Sequence, residues 1–339
     1  MISSATNGSN AAQKSSLVDT FHRPIAYARI AVTSQCNLRC SYCMREEHDH
    51  HTTAPPLLTG QEISTIIAVL AGLGITKVRF TGGEPLLRRD ILELVRDAKK
   101  TPGIKTVSLT TNGLLLDRFL PGLIDAGLDA VNFSIDTLQS GRYSAITRRN
   151  EFARVRANLD RLLNTTAIAV KINVVMMRDV NSDELQLFTA LTREHAVTVR
   201  FMELQPFDDN QIWRTGRFLR AERIRELLQS HYPDLQTAEG HSTEYFSYTL
   251  PEHRGSIAII PAYTRNFCSR CDRIRITSDG RIISCLYKKE GLELMPLLRA
   301  KAGQEALGDL FRLAAAGKPE DGKHAARDSV RTSMSEIGG

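Results

Sequence analysis

The 339-residue chain contains no apolar run approaching the roughly 20 residues that cross a bilayer, which excludes a spanning helix. Residues 1–20 are rich in Ser, Ala and Asn and lack the hydrophobic core of a secretory signal, so they read as a disordered leader. A large net charge is also missing. The formal charge of +6 favours acidic ligands such as phosphates, but over 339 residues it is too mild for a nucleic-acid binder. No cysteine is left over either: all six fall in two triplets, Cys36, Cys40 and Cys43, then Cys268, Cys271 and Cys285. Without an export signal, disulfides lack an oxidising compartment. The close spacing therefore favours metal and a cytoplasmic setting. Hydrophobic residues at 42% and charged residues at 24% exclude wholesale disorder.

What is present alternates. Strand signals at Ile25–Thr33, Ile75–Phe80, Thr106–Thr110, Ala130–Ile135, Ile168–Val175 and Thr198–Glu203 are separated by helical patterns. The helices are read at Gly60–Leu73 (capped by Thr59), Arg89–Lys99, Asp117–Ala126, a segment ending near Leu163, and Ser182–Glu194. Units of about 30 residues in this order predict a parallel α/β sheet, either open and doubly wound or an incomplete barrel. The rhythm breaks after Phe207. One helix is predicted at Ala221–Gln229, strands at Gly255–Ile260 and Arg273–Thr277, and a hairpin turn at Asp279-Gly280. The expected division is a leader over 1–20, the alternating domain over 21–207, a second domain over 208–316, and a mobile tail over 317–339 ending in Ile337-Gly338-Gly339.

The first triplet has spacing C-x3-C-x2-C and the second C-x2-C-x13-C. Clusters that only carry electrons normally take four cysteines, so three leave one iron of a cubane open to a small ligand. Zinc is the alternative; it needs a fourth ligand, which His48, His50 or His51 could supply. Thr81-Gly82-Gly83-Glu84-Pro85 closes the second strand, where residues without a Cβ permit close backbone approach.

The first triplet, with Tyr42 just before its last cysteine, and the Gly82-Gly83-Glu84 run together resemble the radical S-adenosylmethionine (SAM) superfamily. The second triplet narrows the resemblance to its GTP 3′,8-cyclase family. So do Arg29, Lys77-Val78-Arg79, the Leu109–Gly113 run, Ser134-Ile135-Asp136, Val170-Lys171-Ile172-Asn173 and Arg200-Phe201-Met202-Glu203. This resemblance implies an incomplete (βα)6 TIM-like barrel with a C-terminal α+β extension that carries a second iron–sulfur cluster. It implies two [4Fe-4S] clusters and SAM as cofactors. It further implies a lyase that converts GTP to (8S)-3′,8-cyclo-7,8-dihydroguanosine 5′-triphosphate, the first step of molybdenum cofactor biosynthesis.

Carried over by position, Cys36, Cys40 and Cys43 would hold the SAM cluster, and Tyr42, Gly83, Ser134 and Gln205 would contact SAM. Cys268, Cys271 and Cys285 would hold the cluster that meets the substrate, and Arg29, Arg79, Thr110, Lys171, Arg273 and Arg275 would bind GTP. Gly338 and Gly339 would enter the site. The implied partners are a flavodoxin- or ferredoxin-like electron donor and a downstream cyclic pyranopterin monophosphate synthase. No membrane or nucleic acid is implied, and a homodimer is compatible. Arg45, Asp272 and Gln205 depart from the family pattern. Two other readings remain: a peptide-modifying radical SAM maturase, and a non-catalytic module with two zinc sites.

Overall fold

The computed structural model describes residues 16–43, 57–205, 215–239, 246–264, 268–288, 290–322 and 337. Six strands alternate with helices through its first half. They are β1 (Tyr27–Ala31), β2 (Lys77–Thr81), β3 (Thr106–Thr111), β4 (Ala130–Ser134), β5 (Ala169–Met176) and β6 (Val197–Glu203). The helices between them are α1 (Gly60–Gly72), α2 (Ile91–Lys100), α3 (Leu116–Asp125), α4 (Ser140–Thr147), α5 (Phe152–Leu163) and α6 (Leu185–Glu194). Adjacent strands pair in parallel and in chain order from β1 to β6. A doubly wound sheet would reverse its order at a switch point; this one does not.

The second half adds α7 (Ala221–His231), β7 (Gln236–Ala238), β8 (Phe246–Thr249), β9 (Ser256–Ile260), β10 (Arg273–Ile276), β11 (Arg281–Ile283), β12 (Leu292–Glu293), α8 (Met295–Arg299) and α9 (Gln304–Ala316). Its strands extend the same sheet at both edges. β10 pairs in parallel with β1, and β9 in parallel with β6, giving the order β12-β11-β10-β1-β2-β3-β4-β5-β6-β9-β8-β7. The outward-facing residues of the parallel strands, such as Val78, Phe80, Val107, Leu109, Val131 and Phe133, are fully buried under the helices. Among the described residues, no helix is long and apolar enough to cross a membrane.

Local signals explain most boundaries. Thr59 caps α1 in a capping box: its hydroxyl accepts from Glu62 N at 3.2 Å, and Thr59 N donates to Glu62 Oε2 at 2.7 Å. The helix expected at Ser182–Glu194 instead begins as a 3-10 turn over Ser182–Glu184 and turns α-helical at Leu185. Tertiary bonds account for the break. The buried Glu184 carboxylate is held by the Thr137 hydroxyl at 2.5 Å, Leu138 N at 2.6 Å and Arg142 Nη1 at 2.8 Å.

Both ends of the chain are firmer than their composition suggests. Residues 16–20, read as leader, are anchored: Leu17 is buried, its N donates to Leu73 O at 2.9 Å, and Val18 bridges to Pro24. Residues 317–322, read as mobile tail, are tied down too, with Lys318 buried. In both places a few buried side chains override a polar, charged composition. Ile337 is also fully buried, while Gly338 and Gly339 lie outside the described residues, as do His48, His50, His51 and Arg45.

Candidate active site

A cavity of about 290 Å³ opens at the C-terminal ends of the parallel strands, where such sheets place their chemistry. All six cysteines line it, although more than 220 residues separate the triplets; all are half-buried and none is in a disulfide.

The first triplet lies in the loop after β1. Its backbone is pinned to the end of α4 by Arg39 N to Thr147 O (3.0 Å) and Ser41 N to Ile146 O (2.8 Å). The Cys36 sulfur accepts from Leu38 N at 3.4 Å and Asn112 Nδ2 at 3.7 Å. Asn112 is itself aimed: its N donates to Glu84 Oε2 at 2.8 Å, and its amide also reaches Asn37 Oδ1 at 2.7 Å. Glu84 is completely buried and also accepts from the Thr111 hydroxyl at 2.8 Å and Leu86 N at 3.0 Å. Burial pushes its carboxyl up to about 7. Tyr42 is held the same way, donating to Asp136 Oδ2 at 2.7 Å while Val175 N donates to Asp136 Oδ1 at 2.8 Å. Burial raises Asp136 to about 6. Cys40 is raised well above the usual thiol range by burial, then by Cys43, Asp136 and Cys36, so these thiols lie close together.

Gly82 and Gly83 serve this loop directly. Val32 N donates to Thr81 O at 2.9 Å, Gly83 N to Thr33 O at 2.9 Å and Glu84 N to Gln35 O at 2.7 Å. A Cβ on Gly83 would collide with the Ser34 and Gln35 carbonyls. The close approach that the glycines permit is to the chain's own cysteine loop.

Opposite the first triplet, the inner face of the sheet is cationic. Register puts Arg275, Arg29 and Arg79 side by side across β10, β1 and β2, with Arg273, Tyr27 and Lys77 in the row beneath. Tyr27 is the hub of these rows. Its ring lies 5.5 Å from the Arg29 guanidinium, 5.3 Å from that of Arg79 and 5.0 Å from the Lys77 ammonium. Its hydroxyl accepts from Arg29 Nε at 3.2 Å. Burial alone would raise this phenol, but Arg29, Arg79, Lys77 and Arg273 outweigh it and bring it down to about 8.

Burial pushes Arg79 down to about 9, with Arg29, Arg200 and Arg273 adding like-charge repulsion. Arg275 falls well below the usual guanidinium range, from burial and then from Arg29 and Arg273. Crowded, desolvated cations of this kind are relieved by a polyanion, and their planar forks suit phosphate. Across the cavity Arg200 donates to the Asn132 side chain. The Thr110 hydroxyl and the Asn173 amide oxygen are buried without a hydrogen-bond partner, while both residues line the cavity.

The second triplet closes the cavity from β10 and the segment after β11. Burial would raise the Cys271 thiol, yet Arg273 and Lys318 bring it down to about 6. Cys268 is raised by burial, partly offset by a bond from Gly322 N–H to its sulfur. Among the described residues, no three His, Cys, Asp or Glu side chains converge to hold one metal ion. Two cysteine triplets, the first with N–H donors to a sulfur, in a cavity with partnerless polar atoms fit clusters with a bound nucleotide.

Comparison with known proteins agrees with this arrangement. Residues 30–191 match the radical SAM superfamily, and residues 197–324 match Molybdenum Cofactor Synthesis C. The GTP 3′,8-cyclase of Chlorobaculum tepidum is 55% identical over 323 residues, covering 95% of this chain and 97% of that one. The chain belongs to the GTP 3′,8-cyclase family. The enzyme of that name from Alkaliphilus metalliredigens is 37% identical over 95% of this chain and 99% of its own. The crystal structure of Streptococcus suis SuiB matches with a TM-score of 0.57 at 14% identity, over 79% of this chain and 62% of SuiB, and so supports the radical SAM α/β fold alone.

Of the GTP 3′,8-cyclase positions carried over from sequence, the cavity gathers the six cysteines together with Tyr42, Gly83, Ser134 and Gln205. It also gathers Arg29, Arg79, Thr110, Arg273 and Arg275. Lys171 is not among its lining residues. It sits on the same face of β5 as Asn173 and Val175 but one step nearer the strand's start, beside Asn132 and Thr198. Several contributors carry no role in the sequence reading. Glu84, Asn112, Asp136 and Arg200 lie inside the motif runs that mark the family, so the signal was present but unassigned. Tyr27, Arg23 and Lys318 have no local signal at all.

Proposed function

We propose that this chain is a radical SAM GTP 3′,8-cyclase, forming the bond between ribose C3′ and guanine C8 of GTP in the first step of molybdenum cofactor biosynthesis. The observation that carries this reading is that both cysteine triplets and the rows of arginines face one cavity. Cys36, Cys40 and Cys43 would hold one [4Fe-4S] cluster, and Cys268, Cys271 and Cys285 a second. When bound, the first cluster and SAM supply a one-electron cleavage and a hydrogen-abstracting species.

The protein's own work is placement and exclusion. Burial raises the Cys36 thiol, and the Leu38 and Asn112 N–H groups that donate to its sulfur oppose that rise. Tyr42, held by Asp136, together with Gly83, Ser134 and Gln205, would seat SAM over that loop. Arg275, Arg29 and Arg79 would take the triphosphate, with Arg273 beside the second triplet. Thr110 would offer its hydroxyl to the nucleotide; Lys171, one row deeper, would add charge behind it. Fixing ribose and base within one bound nucleotide makes the ring closure unimolecular. The parallel strands would curl as an incomplete barrel, with the segment after residue 208 closing its mouth and excluding water. A one-electron donor would reduce the first cluster, and a downstream synthase would take the product.

Anaerobic metal and sulfide analysis with cysteine variants tests this reading. Cys36→Ala, Cys40→Ala or Cys43→Ala is expected to abolish SAM cleavage. Cys268→Ala, Cys271→Ala or Cys285→Ala is expected to keep uncoupled SAM cleavage while ending GTP turnover. Zinc in place of iron, or equal loss of SAM cleavage in both sets with folding intact, overturns it.

A further inference from the structure

Two buried cations outside the nucleotide rows, Arg23 and Lys318, donate almost entirely to main-chain carbonyls. Arg23 is 7% exposed and Lys318 4%. Arg23 Nε donates to Asp19 Oδ2 at 2.6 Å, which neutralises its charge. Its remaining bonds go to backbone far away in sequence: Nη1 to Cys268 O and to Glu320 O, and Nη2 to Pro319 O, each at 2.7 Å. Lys318 Nζ donates to Arg273 O and Ser284 O, both at 2.7 Å. The carbonyls chosen are those of Cys268 itself, of the residue two beyond Cys271, and of the residue before Cys285. Arg23 thus bonds one second-triplet ligand directly, and Lys318 bonds backbone within two residues of each of the other two. The chain leaving α9 completes the contact through the Pro319 and Glu320 carbonyls that Arg23 bonds.

Burying a cation is costly unless its donors are satisfied, so two such cations spent on irregular backbone mark a place where that backbone must not move. A planar guanidinium can bridge three carbonyls and a carboxylate at once; a lysine ammonium cannot. Lys318 also brings positive charge into the cavity beside the three cysteines. Donors to sulfur and nearby charge both set the potential of a thiolate-held cluster.

We infer that the 318–322 segment is part of the second cysteine site, with Arg23 and Lys318 as positioning residues that clasp the triplet and hold that segment against it. This rests on the reading that the triplet holds a cluster. Arg23 ties the carbonyl of a ligand to two carbonyls of the segment. Displacing either cation loosens cluster and segment together.

The test uses the full-length, anaerobically reconstituted protein as wild type, Arg23→Gln, Arg23→Lys and Lys318→Met. The readouts are iron and sulfide per chain, redox-titrated EPR spectra, and hydrogen exchange of peptides spanning 317–322. Arg23→Gln and Lys318→Met are expected to lose up to half the iron and sulfide. Any second cluster that remains should titrate at a more negative potential, and exchange in the 317–322 peptides should rise at least tenfold. The first cluster's signal, and its shift on adding SAM, should persist and serve as the folding control. Arg23→Lys should behave like Arg23→Gln. Full iron, an unchanged potential and unchanged exchange in Arg23→Gln and Lys318→Met overturn the inference. So does loss of both clusters together, which would mean general unfolding, or full rescue by Arg23→Lys. Wild-type protein that holds one cluster or zinc defeats the underlying reading instead.

Discussion

Gly83→Ala tests how the first cysteine loop is built. A Cβ there would stand 2.5 Å from the Gln35 carbonyl carbon and 2.7 Å from the Ser34 carbonyl oxygen, where ordinary contact begins at 3.4 Å. The Gln35 carbonyl oxygen stands closer still, and all three atoms are backbone, so no side chain can swing aside; loop and strand end must part by roughly 1 Å or more. Parting strains two bonds, Gly83 N to Thr33 O at 2.9 Å and Glu84 N to Gln35 O at 2.7 Å. Overpacking costs about 1–3 kcal/mol, and each weakened bond about 1 kcal/mol. A total near 3 kcal/mol is therefore expected, about a hundredfold in the folding equilibrium. Urea unfolding of the metal-free protein, followed by circular dichroism, measures it. Gly141→Ala is the control, because a Cβ there meets nothing within 4 Å and should be neutral or stabilising by up to about 1 kcal/mol. After reconstitution, Gly83→Ala should also bind less iron at the first triplet while the second stays loaded. Stability within about 0.5 kcal/mol of wild type, with a full first cluster, would refute the packing argument.

Arg273→Ala and Arg275→Ala should each weaken GTP binding by about 1.5–3 kcal/mol, roughly 10- to 150-fold, by equilibrium titration; unchanged affinity in the double variant removes them from the site. Glu84 has its carboxyl raised from 4.5 to about 7 by burial, so the folded state holds its proton more tightly. The resulting stability is complete below pH 4.5 and is lost as pH rises through 7, by about 3 kcal/mol at most. Glu84→Gln should flatten that slope in urea titrations of the metal-free protein. Deleting Gly338 and Gly339 should leave both clusters bound and stop GTP cyclisation; full-length rates from the truncated enzyme would show the tail to be dispensable.

Much of this protein is written in local pattern. Alternating strand and helix periodicities placed β1 to β6 within a residue or two, because each strand buries one face under its own crossover helix. Ligand spacing within each cysteine triplet is likewise short-range, as is the capping box that starts α1. Other features depend on which distant segments meet. The parallel pairing of β10 with β1 is what turns Arg275, Arg29 and Arg79 into one cationic row, and no spacing in the chain encodes that register. The helix α4, Ser- and Gly-containing and weakly patterned, forms where it does because the cysteine loop bonds to its end. Sequence alone explained Gly83 by access to a ligand; the folded chain adds that its missing Cβ admits the cysteine loop. From sequence, Arg23 looks like an ordinary surface cation just after a polar leader, and Lys318 like one in a charged tail. Only the tertiary structure buries Arg23 against carbonyls more than 240 residues away, and Lys318 against carbonyls 45 and 34 residues back, since a side chain's partners are set by the global fold and its conformation by local sequence.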